Sequence, residues 1–94
     1  MQVKFDIKYE RSKKKIAKRI DIQKIQQTEV LFKSDSSHCK LELKSIVCRR
    51  DKYKKSIRVL GNEGFRILIS IRDDIAYFQD IMDHNKYDRM TKDC

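Results

Sequence analysis

Apolar and polar residues alternate along several segments of the chain, and this pattern predicts β-strands. The alternation is strict in residues 2–9 and again in residues 65–72, so each segment would form a strand with one apolar face. A shorter alternating segment around Ile57 and Val59 predicts another strand. Residues 61–64, which contain both glycines of the chain, lie between these last two segments and predict a hairpin loop.

Residues 16–33 carry a pattern that fits either a helix or strands. Ile16 and Ile20 have the i, i+4 spacing of a helix, yet they also share one face of a strand. Because Ile, Val, Thr and Phe fit a pleated surface, strands are favoured over a helix. The predicted strands lie at about 15–25 and 28–33, and a helix over 12–27 is the open alternative.

The middle of the chain predicts two turns around one strand. The Ser- and Asp-rich residues 34–37 indicate a turn, since these side chains hydrogen-bond to their own backbone. Residues 39–48 then alternate until the parity breaks at about residue 45, which predicts one long, bent strand. Clustered cations in residues 49–55 predict a second turn.

The hydrophobic period changes from two to nearly four after residue 72. Ile75, Phe78 and Met82 have helical spacing, and the preceding Asp73 and Asp74 suit a helix N-terminus. We therefore predict a helix over residues 73–87 that covers the sheet, followed by a flexible tail over 88–94. The whole chain, residues 1–94, is predicted to be a single domain of the α+β class, a mainly antiparallel sheet or roll of five to six strands with one C-terminal helix packed on it.

Charge adds a functional expectation to this fold. The formal net charge is +9, with 39% of the residues charged and 39% hydrophobic. Residues 73–94 carry six aspartates against three cations, so the positive charge resides in the preceding residues. An excess of this size indicates an anionic partner such as nucleic acid or another polyanion.

Two basic clusters are the candidate binding site. Both are predicted to lie in turns that connect strands, where cations neutralise phosphates and an aromatic ring stacks on a base. The first cluster consists of Arg11, Lys13, Lys14, Lys15, Lys18 and Arg19. The second consists of Arg49, Arg50, Lys52, Tyr53, Lys54, Lys55 and Arg58. Whether the two clusters form one surface is left open by the sequence.

Catalytic and metal-binding motifs are not evident in the sequence. The histidines and cysteines, namely His38, Cys39, Cys48, His84 and Cys94, lack the close paired spacing of zinc ligands. Neither histidine belongs to a recognisable nucleophile and base arrangement. We therefore expect no enzyme activity, no metal and no cofactor, and we expect Cys39 and Cys48 to be core residues.

The odd number of cysteines favours a reducing compartment, so we expect an intracellular protein of the nucleus or cytoplasm. No apolar run is long enough to cross a membrane. A protein partner could dock on a sheet edge or on the C-terminal helix, where Tyr77 and Tyr87 would extend the apolar surface outward. The oligomeric state is not predicted.

Two resemblances to known families accompany this pattern. Residues 65–78, FRILISIRDDIAYF, read as a last strand that passes directly into a helix, and with the basic turn before them they resemble a pleckstrin-homology-like domain. Residues 18–23, KRIDIQ, are similar to the entry of a repeat in the PUR type of single-stranded nucleic-acid binder. The favoured function is a non-enzymatic module that binds nucleic acid, preferably single-stranded, or another polyanion. The alternative is a pleckstrin-homology-like protein interaction module of a larger protein.

Overall fold

The fold is described for residues 1–92 in a computed structural model, apart from the side chains of Asn62 and Glu63. It is an α+β fold built on one five-stranded, mainly antiparallel sheet, with a helix at its C-terminal end, and this confirms the predicted class. In chain order the elements are β1 (Gln2–Phe5), α1 (Ile7–Ile16), α2 (Ile22–Ser34), a 3₁₀ helix (Cys39–Leu41), β2 (Lys44–Ser45), β3 (Lys54–Val59), β4 (Asn62–Arg72), β5 (Ile75–Asp83) and α3 (His84–Lys92).

The strand order across the sheet is β1-β5-β4-β3-β2. The β1 strand runs parallel to β5, whereas every other neighbouring pair is antiparallel. The helices α1 and α2 form the crossover that a parallel pair requires, because β1 must be connected to a distant strand without a tight turn. The first and last strands of the chain therefore lie side by side.

Two helices occupy most of the first third of the chain, so the strands predicted at 2–9, 15–25 and 28–33 are wrong in whole or in part. The β1 strand ends at Phe5, and α1 follows. Its buried residues, Tyr9 and Ile16, are seven positions apart and therefore lie on the same face of the helix. Asp21 caps α2 by accepting a hydrogen bond from the backbone N–H of Gln23 at 2.9 Å.

The buried face of α2 shows why its helical period was missed. The buried residues are Ile25, Thr28, Glu29 and Phe32, at the helical positions i, i+3, i+4 and i+7. Two of the four are polar, so a pattern of hydrophobic residues alone shows only half of the buried stripe. The helix proposed as the alternative, residues 12–27, overlaps both helices but spans the turn between them.

The segment predicted as a helix over 73–87 is a strand followed by a helix. Asp73 and Asp74 both have positive φ, 52° and 64°, and form the two-residue turn between β4 and β5. Aspartate is among the residues that tolerate this conformation, which two-residue hairpins with the favoured twist require. The two acids thus reverse the chain, and the helix α3 begins only at His84.

A β-bulge explains the helical spacing of the apolar residues in β5. Leu68 pairs with Asp80, whereas Ile69 pairs with Phe78, so Gln79 has no counterpart on β4. This extra residue reverses the parity of the strand, and both Phe78 and Ile81 reach the same core. A strand interrupted in this way carries apolar residues three apart, as a helix does.

Two further segments differ from the predictions. Residues 39–48 form a 3₁₀ helix and the two-residue strand β2, because Glu42 adopts a left-handed conformation with φ of 47° that interrupts an extended chain. The last predicted segment, 88–94, is helical through Lys92, and residues 93 and 94 lie outside the described part of the chain. No helix within residues 1–92 is both long and apolar enough to cross a membrane.

The two faces of the sheet are covered differently. On one face α1 packs against β5 and α2 packs against β3, and Phe78 lies at the centre of an aromatic group formed with Phe5, Tyr9 and Phe32 at centroid distances of 5.3–5.4 Å. On the other face a small cluster comprises Ile46, Cys48, Leu68 and Met82, with Tyr87 and Met90 of α3 packed on it. This second face leaves room for polar side chains.

Candidate functional site

The first basic cluster lies on α1 and in the turn after it, not in a turn between strands. Lys13 points inward, where its Nζ lies 3.0 Å and 3.1 Å from the two carboxylate oxygens of Glu29. Arg19 lies 3.1 Å from a carboxylate oxygen of Asp83 at the end of β5, and its guanidinium stacks over the ring of Phe65. The remaining members are exposed: Arg11, Lys14, Lys15 and Lys18.

The second basic cluster is divided between a loop and a strand. Arg49, Arg50, Lys52 and Tyr53 lie in the loop between β2 and β3, whereas Lys54, Lys55 and Arg58 belong to β3. Lys54 and Arg58 have the parity of Ser56, so they lie on the face of the sheet that α3 covers. The Nζ atom of Lys55 donates to the hydroxyl of Ser45 at 2.9 Å.

The loop part of the second basic cluster does not share a groove with the first cluster. Arg19 of the first cluster meets Asp83, which pairs with Phe65 at the beginning of β4. The loop of the second cluster lies at the other end of β4, where Asp51 pairs with Arg72. About seven residues of one strand, or roughly 23 Å, separate these ends. A role of either cluster in polyanion binding stays a prediction.

The junction between β5 and α3 brings together a histidine and two carboxylates. His84 is the first residue of α3, and its Nε2 lies 3.2 Å from Oδ2 of Asp88 one turn later. Both side chains are more than half exposed, so a substrate can reach them. Asp83 begins the helix by accepting a hydrogen bond from the backbone N–H of Lys86 at 2.9 Å. This bond and the pairing with Arg19 hold the pKa of the Asp83 carboxyl below its usual value.

Two arginines approach this junction from the sheet. Arg66 of β4 pairs in register with Met82, which precedes His84 by two residues, and Arg58 of β3 pairs with Arg66. Both arginines lie on the face covered by α3, and each is partly buried. Arg58 also forms an ion pair with Glu42. Two guanidinium groups on adjacent strands can grip one phosphate group, since each offers a fork of donors.

An open groove of about 710 Å³ adjoins Arg58. The walls are contributed by α2, the 3₁₀ helix and the β3–β4 hairpin, and two further lysines, Lys24 and Lys40, line it. Gly61 in the hairpin has φ of +68°, and the side chain of Lys24 lies over it. The groove continues the positive surface away from His84 and can accommodate an extended anion.

The position of α3 depends on a small number of contacts. None of residues 84–92 is fully buried. Tyr87 and Met90 pack against the cluster beneath the helix, and the hydroxyl of Tyr87 lies 3.0 Å from that of Ser56 on β3. This hydrogen bond connects the helix that carries His84 to the strand that carries Arg58.

Sequence reasoning missed His84 and Arg66 as functional candidates. His84 was rejected both as a metal ligand and as a catalytic base, because no motif surrounds it, and Arg66 is an ordinary outward position of an alternating strand. Strand pairing alone places Arg66 beside Met82, two residues before His84, so no local motif identifies the two residues. The other histidine, His38, has a structural role, because its Nδ1 accepts a hydrogen bond from the backbone N–H of Lys40 at 3.1 Å.

Cys39 is exposed and not a core residue, because it begins the 3₁₀ helix where the long strand was expected, whereas Cys48 is buried. Cys94 lies outside the described residues. Among residues 1–92, no group of three or more His, Cys, Asp or Glu side chains converges in a way that could hold a metal ion.

No protein family model matches the chain, and no curated protein matches it in sequence. Solved structures do match. YafQ from Escherichia coli superposes with a TM-score of 0.74 at 11% identity, over 92% of this chain and 96% of that one. The fold is that of YafQ. A crystal structure of the E. coli DinJ–YafQ toxin–antitoxin complex gives 0.72 at 14% identity, over 90% and 93% of the two chains. The RelB–RelE antitoxin–toxin complex from Methanococcus jannaschii gives 0.55 at 16% identity, over 90% and 95%.

The match to YafQ corrects the two resemblances suggested by the sequence. The pleckstrin-homology-like assignment is wrong, because residues 65–78 form a hairpin of β4 and β5 and not a strand that enters a helix. Residues 18–23, read as the entry of a PUR-type repeat, contain the turn between α1 and α2.

The functional predictions are corrected by the same comparison. The favoured non-enzymatic nucleic-acid module, its pleckstrin-homology-like alternative and the expected absence of enzyme activity are wrong, because the fold is similar to those of YafQ and RelE, which were each crystallised in a toxin–antitoxin complex. The prediction of no enzyme activity failed because it required catalytic residues to form a motif along the sequence. In this fold, the candidate groups are contributed by β3, β4 and α3, which are separate in sequence.

Proposed function

We propose that this chain is the toxin of a toxin–antitoxin pair and that it is a single-domain endoribonuclease. The observation that carries the proposal is the pair formed by His84 and Asp88, exposed at the start of α3, two residues after Met82, which pairs in register with Arg66. The fold shared with YafQ and RelE, two toxins crystallised with their antitoxins, supports the same class. One of the matching structures is a histidine-to-glutamine variant of YafQ.

RNA contains its own nucleophile, the 2′-hydroxyl, so the protein needs to move protons and stabilise charge. One group takes the proton from the 2′-hydroxyl, another protonates the departing 5′-oxygen, and cations stabilise the negative charge on the phosphorus centre. The products are a 2′,3′-cyclic phosphate and a 5′-hydroxyl. No redox group or activated cofactor takes part in this reaction.

The residues at the junction fit these roles. His84 fits one of the two proton-transfer roles, since histidine is the side chain most often used for general acid–base catalysis, and water, which reaches this exposed site, would serve the other. Asp88 contacts its Nε2 and holds the imidazole in one orientation. Arg66 and Arg58 lie side by side on adjacent strands, where they would bind the scissile phosphate and stabilise its developing charge.

The test compares two histidine variants in an RNA cleavage assay. A defined messenger RNA is incubated with purified protein, both free in buffer and in a cell-free translation reaction. We expect the wild type and His38→Gln to cleave it and to leave 2′,3′-cyclic phosphate ends. We expect His84→Gln to be slower by about 10²- to 10⁴-fold, the usual contribution of a general acid or base. His38→Gln is the matched control, because it makes the same chemical change at a structural histidine.

Cleavage by His84→Gln at the wild-type rate would remove His84 from the mechanism. The absence of cleavage by the wild type in both settings would contradict the nuclease itself. Circular dichroism of each variant verifies that the fold is retained, which is expected because His84 is more than half exposed.

A small protein antitoxin is the partner that this proposal requires. DinJ and RelB occupy that role in the matching complexes with YafQ and RelE. The net charge of +9 favours an acidic partner surface, since complementary charge accelerates association. Messenger RNA as the substrate further assigns the proposed activity to the cytoplasm and not to a nucleus.

A further inference from the structure

A second polar cleft lies at the end of the sheet opposite to His84. It has a volume of about 310 Å³ and lies between the loop before β3 and the end of β4. Four cations and one carboxylate line it together with a single aromatic ring: Arg49, Arg50, Asp51, Lys52, Tyr53 and Arg72. The proposed nuclease chemistry uses none of these residues.

The cleft is preorganised by hydrogen bonds at Asp51 and Tyr53. Asp51 accepts a bond from the backbone N–H of Tyr53 at 2.9 Å and pairs with the guanidinium of Arg72 at 3.3 Å. The carbonyl of Tyr53 accepts a bond from the backbone N–H of Ile71 on β4 at 3.3 Å. Arg72 also donates to Ser70 at 3.2 Å. Tyr53 is thus fixed to the end of the sheet although it belongs to a loop.

The Asp51 carboxyl remains ionised because of this network. Partial burial raises its pKa, but hydrogen bonds from the Tyr53 backbone, from Ser70 and from Arg72 outweigh the burial and lower the pKa below its ordinary value. The ionised carboxylate keeps Arg72 in place beside the ring. The other cations of the cleft are exposed and can turn toward a ligand: Arg49, Arg50 and Lys52.

Tyr53 presents a surface suited to a nucleobase. The side chain is 46% exposed although its backbone is held on both sides. Lys52 Nζ lies 5.2 Å from the ring centroid and Arg72 Cζ lies 5.8 Å from it. Both cations lie over the ring, and Lys52, which is exposed, can turn away so that a base stacks there while the cations neutralise the backbone phosphates.

The cleft and the proposed catalytic residues lie on the same face of the sheet. Arg72 and Arg66 belong to β4 and have the same parity, so both project to the face that α3 covers. They are six residues apart, a distance of about 20 Å along an extended strand. A strand of several nucleotides can therefore contact both places at once.

We propose that the Tyr53 cleft is a subsite for single-stranded RNA, in which one base stacks on Tyr53 and the adjoining phosphate is bound by Arg49, Arg50 and Lys52. The inference rests on the proposed RNA substrate, and it adds a contact several nucleotides away from the cleaved bond. Stacking distinguishes the subsite from a general attraction of anions, because a polyphosphate has no base to stack.

The experiment measures binding in the His84→Gln background, in which the proposed cleavage is slowed enough that the RNA stays largely intact during titration. The ligands are a short unstructured RNA, the same sequence as a duplex, and inorganic polyphosphate. The variants are Tyr53→Leu, which removes the ring, and Tyr53→Phe, which retains it. We expect Tyr53→Leu to weaken binding of the single strand by about 5- to 150-fold, the range that loss of one stacked base produces. Tyr53→Phe should stay within about twofold of the parent for every ligand, because the stacking ring is retained.

Duplex RNA and polyphosphate show whether Tyr53 acts by stacking on a base or by a general attraction of anions. Binding of duplex RNA and of polyphosphate should be unchanged in Tyr53→Leu, because paired bases are not free to stack and polyphosphate has none. Unchanged binding of the single strand would overturn the proposal, and so would an equal loss for polyphosphate. The nuclease proposal is judged separately by the cleavage assay. If the protein binds RNA through Tyr53 but cleaves no RNA, the subsite proposal is supported and the nuclease proposal is contradicted.

Discussion

The buried network between α1 and α2 provides the sharpest test of how the fold is held together. The hydroxyl of Tyr9 donates to Oε2 of Glu29 at 2.6 Å, and the carboxylate also binds Lys13. Tyr9 is fully buried and Glu29 is 8% exposed, so water does not replace either partner. The perturbation is Tyr9→Phe, which removes the hydroxyl and retains the ring that packs on Phe78.

The expected loss of stability follows from the chemistry of this bond. A hydrogen bond to a charged acceptor contributes about 1.5–3 kcal/mol. Lys13 still binds both oxygens of Glu29 after the substitution, so the carboxylate is not left unpaired and the lower end applies. We therefore expect Tyr9→Phe to lower the free energy of unfolding by about 1.5 kcal/mol. For a chain of this size, that corresponds to a fall in melting temperature of about 6–12 °C.

Urea unfolding at pH 7, followed by circular dichroism, measures this loss, and Tyr77→Phe is the matched control. The Tyr77 side chain is half-buried, and Tyr77→Phe makes the same chemical change at a position that is not fully buried. A loss below about 0.5 kcal/mol for Tyr9→Phe, or an equal loss in the control, would refute the reasoning, since ordinary surface changes fall within that range.

The pH dependence gives a second measurement of the same bond. Burial, followed by the hydrogen bond to Glu29 and its charge, raises the pKa of Tyr9 far above its usual value. Above about pH 10 the unfolded chain loses the tyrosine proton while the folded protein keeps it, so stability decreases as the pH rises. Tyr9→Phe lacks this proton, and its stability should fall less steeply above pH 10 than that of the wild type.

Two further substitutions test the hairpin and the start of α3. Thr28 is fully buried, and its hydroxyl accepts a hydrogen bond from the backbone N–H of Leu60 at 2.9 Å. Thr28→Val should therefore lower the free energy of unfolding, measured in urea, by about 1–3 kcal/mol. Thr28→Ser retains the hydroxyl and should lower it clearly less. Equal losses would show that the hydroxyl is unimportant. Asp83 has a lowered pKa, so its stabilisation is present above about pH 4 and disappears as the pH falls through the folded-state pKa. Asp83→Asn should therefore be less stable than the wild type at pH 7, by less than about 1 kcal/mol because the pair with Arg19 is partly exposed to solvent. The difference should shrink as the pH falls through the folded-state pKa of Asp83, and a difference that does not shrink on acidification would indicate another cause.

Segments whose environment is uniform along their length could be predicted from the sequence. The β4 strand alternates from Phe65 to Ile71, and its pairing with β3 is regular from Arg66 to Ser70. The predicted strand around Ile57 and Val59 is likewise confirmed as β3. In both cases one face of the strand contacts the core at every second residue, which is the condition under which a period of two is informative.

The sequence-based predictions are wrong where a contact with a residue distant in sequence determines the burial or the secondary structure of a segment. Glu29 is buried in α2 because Tyr9 and Lys13 of another helix satisfy its charge, and no residue near it in sequence indicates that. The bulge at Gln79 depends on the pairing of β5 with β4, and it converts a strand pattern into an apparent helical one. The candidate site is of the same kind, since only the sheet brings Arg58 and Arg66 to the strand that leads into His84.

The residues that contribute most to stability and the residues of the proposed chemistry lie on opposite faces of the sheet. The large core lies between the sheet and the helices α1 and α2, whereas His84, Arg58 and Arg66 belong to the other face, where the buried cluster is small. Changes at these three positions should therefore affect activity more than folding. The exception is the attachment of α3, which depends on the packing of Tyr87 and on its hydrogen bond to Ser56. That bond connects α3, which carries His84, to β3, which carries Arg58. Loss of the Tyr87 hydroxyl would therefore make the position of His84 relative to Arg58 less well defined, with little effect on the rest of the fold.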